Sequence, residues 1–192
     1  MLTMPTWGWL HLNEAELHLD MALDRAYEGN VEYKNIKQVL VLEGAPPTAV
    51  PGLPEDMERM RQTLLQHQNF GLTLTIPKGV RLEEPVVLEF TLDDASPVLI
   101  DGLHVKAEAG SEGEIVVVYR AAGRAPHVHC GFAYLEVEER AQVRLTKVQV
   151  LGQEDIHLDT AALRVEASGQ GDMVCCELGG KQVVAGANLA LE

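Results

Sequence analysis

The chain has 192 residues, of which 46% are hydrophobic and 23% charged, the balance of a globular protein with a core of useful size. Fifteen basic residues face 29 acidic ones, and a formal charge of −14 without a local basic patch argues against nucleic acid or an anionic lipid surface as a direct ligand. No run approaches the ~18 to 20 uninterrupted apolar residues of a membrane span, no basic-then-apolar leader opens the chain, and three cysteines do not form a secreted disulfide framework; a reducing cytoplasm is the expected setting.

From the N-terminus, Asn13 and Glu16 have capping-box spacing, Leu17, Met21 and Leu23 recur at near-helical intervals, and Gly29 is a stop, which predicts a first helix. "QVLVLEG", Gln38 to Gly44, predicts a short strand, followed by a loop in which Pro46, Pro47, Pro51 and Pro54 forbid regular structure. Pro54 then suits a first helical position, Glu55 and Asp56 complement the helix dipole, and Met57, Met60 and Leu64 form one apolar stripe, predicting a second helix as far as Asn69. Residues 1–70 are therefore read as an N-terminal segment of two helices and a strand.

Residues 71–192 read as strand and turn throughout. "LHVKAEAGSEGEIVVVY", "AYLEVEERAQVRLTKV" and "ALRVEASGQGDMVCCEL" superimpose as strand, polar turn, strand. The second strands begin near Glu114, Gln142 and Asp172, a period of about 28 to 30 residues that matches repeating architectures. Leu103, Val105 and Ala107 alternate with His104, Lys106 and Glu108, and Leu163, Val165 and Ala167 with Arg164 and Glu166, so each strand shows one dry and one wet face. Such strands bury that face in a β-helix or in a sandwich; a sandwich favours two-residue hairpin turns, and the single "DG" at Asp101 and Gly102 tilts the expectation towards a solenoid.

Two clusters are candidates for chemistry. Cys175 and Cys176 in "GDMVCCELGGKQV" are adjacent, but on a strand their side chains take opposite faces and cannot converge on one metal or substrate atom. Cys176, in phase with Val174 and Leu178, is expected in the core, with Cys175 outward beside Met173. In "PHVHC", His127 and His129 share a face of an extended segment and could hold one metal while Cys130 turns away; two ligands do not close a zinc site, and solvent-facing histidines after Pro126 are the plainer expectation. "LGGKQV" lacks the spacer of a phosphate-binding loop, the acidic residues of "LEVEE" alternate as a solvated face, and no serine occupies a nucleophile elbow. The sequence thus assigns no catalytic, cofactor-binding or metal residue. An aromatic content of 5% also argues against a carbohydrate-active β-helix.

The runs "HVKAEAGSEGEIVVVYRAAG", "LEVEERAQVRLTKVQVLGQEDIHLDTAALRV" and "CCELGGKQVVAGANLALE" resemble the SufB/SufD family of iron–sulfur cluster assembly proteins. The "IPKGV" of Ile76 to Val80, the "LGGK" of Leu178 to Lys181, the "NLALE" of Asn188 to Glu192 and the opening "TWGWLHLNEAEL" are similar to family segments in order and spacing. The resemblance implies a right-handed parallel β-helix after an N-terminal helical segment. It also implies a non-catalytic scaffold that pairs with a SufB/SufD-like subunit or with its own copy, engages a SufC-like ATPase and carries an iron–sulfur cluster only transiently. Family members continue through further coils and a C-terminal helical domain, so a fragment or a shortened relative is expected, and ATPase docking and the family's late interface residues have no counterpart before Glu192. The family's sulfur-acceptor cysteine falls near the loop after Tyr119, where "RAAGRAP" contains none. The competing expectation is a metal- or thiol-handling protein that binds iron or zinc through His127, His129 and either Cys130 or Cys175.

Overall fold

The computed structural model describes residues 26–44 and 49–191. The first predicted helix lies outside the described residues over most of its length, and only its last positions, Ala26 to Gly29, are described; they are not helical. The described chain begins with β1 (Asn30–Lys34), one turn of 3-10 helix (Ile36–Gln38), β2 (Leu40–Glu43) and α1 (Glu55–Gln66). Nine strands follow: β3 (Phe70–Ile76), β4 (Val86–Asp93), β5 (Val98–Ala107), β6 (Glu112–Ala122), β7 (Val128–Val137), β8 (Gln142–Val150), β9 (Ile156–Val165), β10 (Gln170–Glu177) and β11 (Gln182–Leu191). The expected second helix and the "QVLVLEG" strand are both present, with Pro54 capping α1 rather than opening it. Strand β1 has no counterpart among the expected elements, since "NVEYK" lacks a bounded apolar run.

The strands alternate between two sheets, one ordered β1-β4-β6-β8-β10 (sheet A) and the other β11-β9-β7-β5-β3-β2 (sheet B). From β3 onward every pairing is parallel, each strand lying beside the strand two later in the chain. Parallel pairing needs a crossover, and here the crossover is the strand of the opposite sheet; this makes a solenoid of two-strand rungs rather than a hairpin sandwich. Along sheet B, Phe70 pairs with Asp101, Val98 with Val128, Val128 with Ile156 and Ile156 with Gln182, offsets of 31, 30, 28 and 26 residues. β1 and β2 pair antiparallel to β4 and β3 and cover the first rung of the stack.

The turn from sheet B to sheet A repeats in four rungs. Val80 N–H donates to Pro77 O, Ser111 to Glu108 O, Ala141 to Glu138 O and Gly169 to Glu166 O, with Gly79, Gly110, Arg140 and Ser168 at positive φ of 69°, 69°, 59° and 59°. The glycine of "IPKGV" therefore serves a left-handed turn position that L-residues adopt at a cost. Glutamates stack these turns: Glu108 Oε2 accepts from Lys78 N–H at 3.0 Å, and Glu138 Oε2 from Ala109 N–H at 2.9 Å.

Inside the coil, Leu72, Leu74, Ile76, Leu88, Phe90, Leu103, Val105, Ile115, Val117, Leu135 and Leu145 form one core, as the alternation requires. A second cluster lies on the outer face of sheet B, where Val98, Ile100, Val128, Cys130, Phe132, Tyr134, Leu158 and Ala162 pack with Val50 and with Leu64 of α1. Half of sheet B is thus dry on both faces. The one-face-dry expectation holds for β4, β6 and β8 of sheet A but not for β10, which has no buried position; it also fails where α1 covers sheet B, because a helix stripe needs an apolar surface to bury itself against.

Candidate functional site

In-register parallel pairing stacks equivalent side chains into columns, and the inward columns change character along the axis. Leu99 is followed by His129 and His157; Phe70 by Asp101, Gly131 and Asp159. On sheet A, Leu88 and Val117 give way to Lys147 and Cys175, and Phe90 to Tyr119, Gln149 and Glu177. The greasy interior of the early rungs becomes a polar one in the later rungs.

There the side chains form a connected network. Tyr119 O–H donates to Asp101 Oδ2 at 2.9 Å, and Asp101 Oδ1 lies 2.8 Å from His129 Nε2. His129 Nδ1 meets His157 Nδ1 at 2.8 Å, and His157 Nε2 reaches Glu177 Oε2 at 3.2 Å. Lys147 Nζ bonds both oxygens of Asp159, at 2.6 and 2.5 Å. The Tyr119 ring stacks on His129 with centroids 3.9 Å apart, and the Lys147 ammonium sits 5.5 Å from the centre of the same phenol ring. Every member except Glu177 and Cys175 is buried. Buried polar groups at this density persist because they satisfy one another.

Gly131 makes the network possible. A Cβ built there would lie 2.7 Å from Asp159 Oδ1, 2.8 Å from Asp101 Oδ1 and 2.9 Å from His129 Cε1. The bare backbone leaves room for two carboxylates on neighbouring rungs to flank one position.

Burial works against the Lys147 ammonium, but Asp159 and Asp101 outweigh it and hold its proton more firmly than usual. Burial likewise opposes the Asp159 carboxylate, and Lys147 with the two imidazoles overcomes it, leaving its affinity for a proton below the ordinary value. Burial drives His129 towards the neutral ring, and it drives the Tyr119 phenol well up, with Asp101 and Asp159 adding to the effect. Burial and the Asp159 charge raise Cys175 against the pull of Lys147, so this sulfur is not an activated thiolate.

Of the histidines and cysteines singled out from the sequence, Cys130 turns away from His129 as expected, whereas the histidines themselves differ from expectation. His127 and His129 are buried, not solvent-facing, because the interior they enter is polar. His127 is engaged separately: its backbone N–H and its Nδ1 contact Asp155 Oδ1 at 2.8 and 3.1 Å. Cys130 is on the opposite, outer face of sheet B beneath the α1 layer, and burial pushes its thiol up to about 12. Thus His127, His129 and Cys130 do not meet, and among the described residues no group of three or more His, Cys, Asp or Glu side chains is spaced to hold a metal ion.

Cys175 and Cys176 do take opposite faces, but in the phase opposite to the one expected. Cys175 pairs with Lys147 and Met173 with Leu145, both inward, so Cys175 faces the interior and Cys176 faces out with Val174 and Leu178. Apolarity is a false guide to the phase here: Val174 and Leu178, 40% and 68% exposed, are an outward apolar pair, whereas the inward face carries Cys175 and Glu177. Cys175 is open to solvent because sheet A has no described strand beyond β10, while sheet B goes on to β11. The inward column of β11, with Val183 38% and Leu189 64% exposed, therefore has no strand facing it among the described residues.

Asp101, Tyr119, Lys147, His157, Asp159 and Glu177 carry no local motif that marks them in the sequence. Their signal is a set of polar residues at inward parity recurring at the rung period, visible only once the register is known.

Among known families, the one described as "SUF system FeS cluster assembly, SufBD core domain" matches residues 90–192. That span covers β5 to β11, all the rungs that build the polar network. No curated protein and no solved structure matches the chain.

Proposed function

Because the chain belongs to the SufBD core family of the SUF system for iron–sulfur cluster assembly, we propose that it works there as a non-catalytic scaffold that pairs with a SufB- or SufD-like subunit, leaving ATP hydrolysis to a SufC-like partner. The observation that carries this reading is the family match over residues 90–192; beside it, Val183, Ala185, Ala187 and Leu189 make an apolar inward column on β11 that no strand faces among the described residues. Exposed apolar strand surface of this kind is normally met by further protein. Support for a role without covalent chemistry comes from Cys175, whose raised proton affinity suits a thiol rather than a nucleophile. The iron–sulfur cluster is cargo in this reading, built at the contact between subunits and passed on. The setting is the cytoplasm, where the family's reduced thiols would be kept. Among the described residues no helix is long and apolar enough to cross a membrane.

The test is sedimentation of the chain at tens of micromolar, alone and mixed with a SufB-type subunit, beside a Leu189→Asp variant. A dimer or a stoichiometric mixed complex that Leu189→Asp dissolves is the expected result. A monomer under both conditions overturns the pairing, and ATP turnover by the isolated chain overturns the scaffold role.

A further inference from the structure

The contacts Asp101–His129–His157–Glu177 follow one another through the interior, and each has room for one proton. His129 and His157 approach through the same ring atom, Nδ1 to Nδ1 at 2.8 Å; two lone pairs would repel there and two N–H groups would clash, so one proton lies between them. Asp101 Oδ1 at 2.8 Å from His129 Nε2 requires a second proton, on that nitrogen. His129 is then complete as a neutral ring, in keeping with the way burial disfavours its charge, and its Nδ1 accepts from His157 Nδ1–H. His157 has now spent the one N–H of a neutral imidazole, yet its Nε2 lies 3.2 Å from Glu177 Oε2, a buried oxygen with no hydrogen-bond partner. A bare imidazole nitrogen against a carboxylate oxygen sets lone pair on lone pair. Two neutral imidazoles bring two protons to three contacts.

We propose that the chain binds a third proton, carried as an imidazolium by His157 and countered by the Glu177 carboxylate, and that this ion pair fastens β10, the last described strand of sheet A, to the interior. The proton resides on the imidazole because that is the stronger base of the two side-chain types. Groups facing His157 favour the charge: Asp159 on its own strand, Glu177 on β10 and the Tyr119 ring 6.1 Å away on β6, while Asp101 on β5 is spent on His129 and Tyr119. Opposing it are Lys147 on β8, already bonded to both Asp159 oxygens, and the neutral His129 on β7; Cys175 on β10 stays a thiol, and β11 contributes only Val183 at this register. The device is a proton-dependent latch at the last described strand of sheet A, independent of any partner assignment.

The experiment is nitrogen-resolved NMR of the histidine rings in the full chain at pH 7, with a Glu177→Gln variant in parallel. In the wild type both ring nitrogens of His157 should be protonated, while His129 shows a protonated Nε2 and a bare Nδ1. In Glu177→Gln the amide N–H can donate to His157 Nε2, so that nitrogen should lose its proton while His129 is unchanged. Raising the pH until wild-type His157 is neutral should lower amide-exchange protection of Met173 to Cys176 about tenfold in the wild type, with no such step in the variant. A bare His157 Nε2 in the wild type, a doubly protonated ring in Glu177→Gln, or unaltered protection of β10 would each overturn the proposal.

Discussion

Gly131 stands between Asp101 and Asp159 in one inward column of sheet B, the two carboxylates belonging to the rungs on either side of it. The space reserved by a missing side chain is what allows acidic groups to occupy the interior on both sides.

Substitution of Gly131 by Ala forces a Cβ to within 2.9 Å of three side-chain atoms, two of them carboxylate oxygens held by partners that cannot move away cheaply. Overpacking of this kind costs roughly 1–3 kcal/mol, read as a lower urea midpoint at unchanged slope. A midpoint equal to the wild type's would show that the carboxylates relax freely, contrary to the network described.

Lys147 and Asp159 depend on each other. Replacing Lys147 with Met keeps the volume and strands the Asp159 carboxylate in the interior, at a cost of about 3–5 kcal/mol. Replacing both, Lys147→Met with Asp159→Leu, removes the stranded charge and should recover most of that loss. A double-mutant cycle by chemical denaturation measures the coupling; purely additive effects would contradict a paired interior charge.

Acid should weaken the fold through two groups in turn. Burial depresses proton binding at His129, and Lys147 depresses it at Asp159 against the opposing effect of burial. Both groups then bind protons less tightly folded than unfolded, so each makes stability rise with pH. The His129 contribution is complete above the unfolded imidazole value of about 6.5 and is lost as pH falls below it; the Asp159 contribution is complete above about 3.9 and is lost as pH falls through the lower folded value. The upper stage is read as the difference in urea midpoint between wild type and His129→Gln. That difference should shrink from pH 8 to pH 5, and a second decline of the wild type should follow below pH ~4. A difference that grows towards pH 5 is incompatible with a neutral buried His129.

Turn geometry offers a stabilising change. Arg140 and Ser168 occupy the positive-φ position that Gly79 and Gly110 fill in the earlier rungs. Left-handed backbone costs an ordinary residue roughly 1–2 kcal/mol, so Arg140→Gly and Ser168→Gly should each raise the melting temperature, and Gly110→Ala should lower it. Thermal scans of the three variants decide the point.

Much of the fold was legible without coordinates because it is local. Alternation in "LHVKAEA" and "LEVEE" and a recurring rung length follow from backbone sterics and side-chain period, which act over a few residues. The helix at Glu55–Gln66 was legible for the same reason.

Only the tertiary structure decided which face is inside where the two faces look alike. Cys175 points inward because β8, some 28 positions earlier, dictates its parity through pairing, and apolarity along β10 alone points the other way. His129 meets His157 and Lys147 meets Asp159 through register and sheet-to-sheet packing, neither of which leaves a trace in neighbouring residues. Burial of His127 and Cys130 required α1 and the adjoining rungs to be in place. Periodicity therefore determined that the chain coils, and long-range pairing determined what the coil encloses.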